Sequence, residues 1–192
     1  TTPVATDLPP TTAAAPDPSR PYKVFVPSTY TKGTAMPLVV LLHGYGASGD
    51  IQEAYFQVEP LAEAKGFLYA HLDGTKNQRG DQFWNATDAC CGFGTTVDDV
   101  AYVTAVIDDI SAKYDVDPKR IFLMGHSNGG FMSYRMACDK SDRIAAIASL
   151  AGATFADPAK CSPSEPVSVL QVHGTADGTI SYTGGLIPVV NG

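Results

Sequence analysis

Apolar residues along this chain fall into short runs separated by glycine-rich or charged breaks, and two periodicities alternate. Tyr22-Lys23-Val24-Phe25-Val26 alternates with period two and stops at Pro27, which predicts a strand at a sheet edge. Leu38-Val39-Val40-Leu41-Leu42 is apolar throughout, as expected of a parallel strand covered on both faces. It runs into the glycine-rich loop His43-Gly44-Tyr45-Gly46-Ala47-Ser48-Gly49. From about residue 51 to 65 the spacing becomes helical, with Ala54, Tyr55, Val58, Leu61 and Ala62 on one face and Gly66 as the stop. Residues 67–72 predict the next strand, and a long loop carrying Trp84 follows. Asp98 and Asp99 open a second helix, where acids suit the N-terminal dipole, with Val100, Val103, Ile107, Ile110 and Tyr114 as its buried stripe. A strand at 121–124, a helix to about 138, and strands at 144–150 and 167–172 complete the pattern.

Strands alternating with helices over this length predict an α/β fold, a mostly parallel, doubly wound sheet in one domain. Ligands of such sheets bind at the carboxyl ends of strands. The loops after residues 42, 124 and 172 all leave from that edge and converge on one cleft.

Composition narrows the picture. A net charge of −7 over 192 residues, without a Lys/Arg cluster, argues against a nucleic-acid partner. No run of eighteen apolar residues is present, so no membrane span is expected. Residues 1–21 are rich in Thr, Pro and Ala and read as a linker or tail, with the folded domain at 22–192. Thr1 in place of Met suggests a removed leader peptide, and residues Cys90, Cys91, Cys138 and Cys161 fit no zinc spacing. An even cysteine count beside such a tail favours two disulfides and a secreted protein, over four buried thiols. Adjacent cysteines bond only with strain, which favours pairing of Cys90 and Cys91 with Cys138 and Cys161.

The candidate chemistry lies in Gly125-His126-Ser127-Asn128-Gly129-Gly130. A strand, a sharp Gly-x-Ser-x-Gly turn and a helix form the context of a nucleophile elbow. Ser127 is the candidate nucleophile. Its oxyanion hole would use the backbone N–H of Asn128 and, from the loop after residue 42, that of Tyr45, whose ring is free to wall an acyl pocket. Asp177, past the strand at 167–172, stands where the orienting acid belongs; Asp157 is the runner-up, but no strand end precedes it. Trp84 is a candidate substrate contact, although a loop-anchoring role is as common for such a residue. Asn85-Ala86-Thr87 is a glycosylation sequon. No metal, P-loop or dinucleotide motif is present, so no cofactor is expected.

The base is the gap. The expected order, serine then acid then histidine, needs a histidine after Asp177, yet His43, His71, His126 and His173 all precede it. His126 sits in the elbow itself and cannot reach back to Ser127, while His43 and His173 sit at strand ends and suit loop bracing. The expectation is an incomplete chain, lacking the last strand and helix, with the catalytic histidine outside it on a missing segment or a second chain.

Taken together, Pro37 to Gly44, Phe83-Trp84-Asn85, Cys90-Cys91-Gly92, Val97-Asp98-Asp99-Val100, Asp117-Pro118-Lys119-Arg120-Ile121, the Ser127 motif and Val172-His173-Gly174-Thr175-Ala176-Asp177 resemble the secreted polyhydroxybutyrate depolymerase and feruloyl esterase-like family of α/β-hydrolases. The resemblance spans about residues 22–185. It implies an α/β-hydrolase fold, Ser127 as nucleophile, Asp177 as acid, a C-terminal catalytic histidine, and action on polyester or on feruloyl or acetyl esters of polysaccharide. A non-catalytic binding protein that kept the elbow and lost its base is the rival reading. A peptidase, which uses the same machinery, is a third.

Overall fold

The computed structural model describes residues 16–92, 94–185 and 187. In chain order its elements are β1 (Tyr22–Phe25), β2 (Met36–Leu42), α1 (Gly49–Phe56), α2 (Val58–Lys65), β3 (Leu68–Leu72), β4 (Thr75–Lys76), β5 (Gln82–Phe83), α3 (Asp99–Lys113), β6 (Val116–His126), α4 (Asn128–Asp139), β7 (Ala146–Leu150) and β8 (Ser168–Val172). The main sheet has the order β1-β3-β2-β6-β7-β8, and β4 and β5 form a separate short ladder. β1 pairs antiparallel with β3 alone, at the edge its alternation and Pro27 predict, and the remaining pairs of the main sheet are parallel.

The unbroken apolar run of β2 follows from its central position. Leu38, Val40 and Leu42 face a core built with Val103, Ile107, Ile110, Phe131, Met132 and Met136 of α3 and α4. Leu41 faces the opposite side, where Val58, Ala62 and Tyr69 pack. Asp98 caps α3, accepting from the Ala101 N–H at 2.9 Å, and four of the five predicted stripe residues of that helix are buried.

Four expectations need correction. The helix predicted over 51–65 is two helices, because Gln57 adopts a left-handed conformation (φ 53°) between them. A continuous helix would press the Pro60 ring against the Phe56 carbonyl and leave that carbonyl without a donor, so the chain breaks just before Val58. Ala54 and Tyr55 of α1 and Leu61 of α2 are exposed rather than on a buried face, while Val58 and Ala62 are buried as predicted.

The tail predicted over 1–21 does not extend to Tyr22. Residues 1–15 lie outside the described residues, but Arg20 is buried and ion-paired with Asp99 at 2.6 Å. Its guanidinium also stacks 3.7 Å from the centre of the Tyr102 ring.

The disulfides pair differently from the expectation. Cys90 bonds its neighbour Cys91, and Cys138 bonds Cys161. Cys138 lies in the last turn of α4, and Cys161 follows a short 3-10 turn that places the two Cα atoms 5.0 Å apart, a separation suited to a bridge. Finally, the loop after β3 is not wholly irregular, since it contains the β4–β5 ladder.

Candidate active site

β6 delivers Ser127 to the carboxyl edge of the sheet, and α4 begins at the next residue. Ser127 has φ 51° and ψ −118°, a region that a non-glycine residue occupies only when its surroundings enforce it. The enforcement is visible. The Ser127 N–H donates to Leu150 O at 2.8 Å, and Ser127 O accepts from the Phe131 N–H at 3.0 Å as the first bond of α4. Gly125 and Gly129 permit the turn by close approach: a Cβ on Gly125 would lie 2.1 Å from Gly129 O, and one on Gly129 would lie 2.0 Å from Leu42 O.

Ser127 opens onto a cleft of about 280 Å³ walled by Tyr45, Ile51, Tyr55 and His126. The Tyr45 hydroxyl is fixed by Asn77 and Arg79, each donating at 2.8 Å, and itself donates to Asp81 at 3.0 Å. The ring therefore stands as a fixed wall. The Gly44 N–H in the same loop donates to Gln52 at 3.0 Å, which secures the loop to α1.

Asp177 follows β8 in a tight turn. One carboxylate oxygen accepts from the N–H groups of Thr179 and Ile180 at 2.8 and 2.9 Å. These bonds hold its pKa below the usual carboxylate value, helped by the nearby imidazoles of His173 and His126. The second oxygen lies 3.5 Å from His173 Nε2. Asp157, the alternative acid, instead caps the 3-10 turn, accepting from the Ala159 N–H.

Three of the four histidines are engaged in polar contacts, and the fourth, His126, lines the cleft beside Ser127. His43 is fully buried; its Nε2 accepts from the Gly74 N–H at 2.8 Å, which leaves Nδ1–H to donate to Gly44 O at 2.7 Å. Burial pushes its pKa down to about 4. His173 bonds Ile180 O through Nε2 and Gln171 through Nδ1. His71 is buried on β3 beside Asp50. His126 walls the cleft among Tyr55, Phe56 and Gly44, its pKa lowered by burial and partly restored by the charge of Asp177.

Trp84 is not a wall of the cleft. It is wholly buried in the core, its indole Nε1–H donating to His43 O at 2.9 Å; a side chain without exposed surface offers nothing to a substrate. Asn128 holds the adjoining main chain with its side chain, accepting from the Trp84 N–H at 2.7 Å and donating to Trp84 O at 2.9 Å. The sequence predicts a role only for the backbone of Asn128; its side-chain pairing with Trp84, 44 positions away, has no local signal in the sequence. The sequon asparagine is similarly engaged, Asn85 Nδ2 donating to Val97 O at 2.8 Å while Thr87 is buried.

Comparison with known proteins meets this geometry. The family described as the alpha/beta hydrolase fold matches residues 37–184. The chain belongs to that family. This α/β hydrolase is 37% identical over 169 residues to feruloyl esterase B of Piromyces equi, covering 86% of the chain and 31% of that protein. It is 26% identical to feruloyl esterase D of Neurospora crassa, covering 87% of the chain and 56% of that protein. Among solved structures, esterase PE8 superposes with a TM-score of 0.59 at 23% identity, covering 85% of the α/β hydrolase and 78% of PE8. The α/β hydrolase thus spans about a third of feruloyl esterase B and just over half of feruloyl esterase D. The resemblance read from the motifs is borne out by these relatives, and so is the fold class. Among the described residues no helix is long and apolar enough to cross a membrane.

Proposed function

We propose that this α/β hydrolase carries the nucleophile of a secreted serine carboxylic-ester hydrolase acting on feruloyl or acetyl esters of polysaccharide, or on polyester. The observation that carries the reading is the enforced backbone of Ser127 at the mouth of the Tyr45–Tyr55 cleft. Ser127 Oγ attacks the ester carbonyl, and the N–H groups of Asn128 and Tyr45 hold the resulting oxyanion. The alcohol leaves with a proton, and water releases the acid from the acyl-serine. Asp177 stays ionised at neutral pH and orients the imidazole that moves these protons. In this reading that imidazole comes from a further segment or a second chain, since His43 and His173 are tied up in hydrogen bonds, His71 is buried beside Asp50, and His126 belongs to the elbow turn itself. Relatives named feruloyl esterase support an aromatic acyl group and one named acetylxylan esterase/xylanase supports an acetyl group, and the aromatic walls of the cleft suit the former.

The test is hydrolysis of methyl ferulate and p-nitrophenyl acetate by the full-length protein, with fluorophosphonate labelling of Ser127. Ser127→Ala is expected to abolish both labelling and turnover while leaving the melting temperature nearly unchanged. Retained wild-type turnover in that variant would sink the reading.

The commitment of His43, His71 and His173 to other contacts also favours a second reading, a binding protein that keeps the elbow without a base. Absence of both labelling and hydrolysis in the full-length protein, with retained saccharide-ester binding, selects it.

A further inference from the structure

We propose that Trp84 is a positioning residue that ties the two halves of the oxyanion hole into one frame and thereby governs transition-state binding rather than substrate binding. The inference rests on the serine-esterase reading above.

Trp84 reaches both donor segments at once. On one side, its main-chain N–H and C=O are gripped by the Asn128 side chain through two hydrogen bonds, 2.7 and 2.9 Å long. Asn128 is fully buried, so this pairing fixes the residue whose own N–H is one oxyanion donor. On the other side, the indole Nε1–H donates to His43 O at 2.9 Å, and the His43 ring lies against the indole with centroids 5.0 Å apart.

His43 then transmits the constraint. Its Nδ1–H donates to Gly44 O at 2.7 Å. The Gly44 carbonyl and the Tyr45 N–H are opposite ends of one planar peptide, so fixing the oxygen fixes the direction of the N–H. The second oxyanion donor is therefore aimed by imidazole and indole together. Gly74, donating to His43 Nε2, sets the imidazole tautomer that this chain of bonds requires. Packing completes the frame: Tyr102 stacks on the indole and the Arg20 guanidinium lies 5.5 Å from its centre.

A donor pair held in this way matters little to a ground-state carbonyl and much to the oxyanion, which demands both N–H groups at short distance. Trp84→Ala would empty the core and confound the measurement. The decisive variant places β-(3-benzothienyl)alanine at position 84 of the full-length enzyme, which keeps the ring's shape and deletes only the N–H. The expected result is a fall in kcat of about tenfold with KM within about twofold, in line with slight misplacement of a reacting group. The affinity of an alkylboronic acid, which places an oxygen in the hole, should fall by the same factor. Trp84→Phe should likewise lower kcat and boronate affinity together.

Unchanged kcat and boronate affinity in the isostere overturn the proposal, as does a rise in KM with boronate affinity untouched. Either result would leave the esterase reading standing, since that falls only with the Ser127→Ala comparison.

Discussion

Ser127 is held in its conformation by backbone rather than by its own side chain, and the neighbours that hold it are unforgiving. Gly129→Ala would drive a methyl group to 2.0 Å from the Leu42 carbonyl, a contact that only main-chain movement can relieve. It should destabilise the fold by about 3 kcal/mol or more and depress turnover further by separating the oxyanion donors; a denaturant melt within about 0.5 kcal/mol of the parent would contradict this. The buried histidines set a pH dependence. His43 has a folded-state pKa near 4 against 6.5 for the free group, so the unfolded chain binds the extra proton between these values. Stability is then full above about pH 6.5 and falls as pH drops toward 4, by about 3 kcal/mol from His43 alone, with His71 and His126 adding in the same direction. Urea midpoints measured between pH 7 and 4 check this, and a flat profile would refute it. At this scale the positions of Ser127 and Asp177 are legible in the sequence, because a strand, a glycine turn and a helix are local patterns. The burial of Trp84 is not, because its partners His43 and Asn128 lie some forty residues away on either side.

Elements follow the same division between local and distant causes. The edge position of β1, the double-sided burial of β2 and the stripe of α3 are readable from periodicity and a proline. The break between α1 and α2 has a local cause too, Pro60, but the helical spacing of 51–65 runs straight through it and conceals it. Gln57 bears the cost of that break in a left-handed conformation, so Gln57→Gly should raise stability by about 0.5–1 kcal/mol, read as a higher melting temperature. The bridge from Cys138 to Cys161 ties the end of α4 to the segment before β8 across 23 positions. Replacing both cysteines with serine should cost about 3 kcal/mol by the loop-entropy relation; an unchanged melt would show that the bridge constrains nothing in the unfolded chain. Its partners are not deducible from four cysteine positions, because the pairing depends on where the 3-10 turn folds back.

Across the whole molecule, the buried pair of Arg20 and Asp99 joins the residues before β1 to the start of α3, under the same indole that braces the cleft. Arg20→Ala would leave the Asp99 carboxylate buried without its cation and should cost about 3–5 kcal/mol, while Arg20→Lys should recover part of that loss; equal stability of all three proteins would refute the role. The order of the sheet has a kinetic consequence. Leu38 of β2 lies beside Ile121 of β6, 83 positions later, at the centre of the sheet. Until that pairing closes, the most apolar strands of the chain are uncovered, and the cost of closing so long a loop precedes any reward from its contacts. The half of the cleft carrying Tyr45 is translated long before the half carrying Ser127. Refolding should therefore be slow and concentration-sensitive, with yield gained by dilution and cooling, and the nucleophile should become reactive only in the last phase, when the central strands meet.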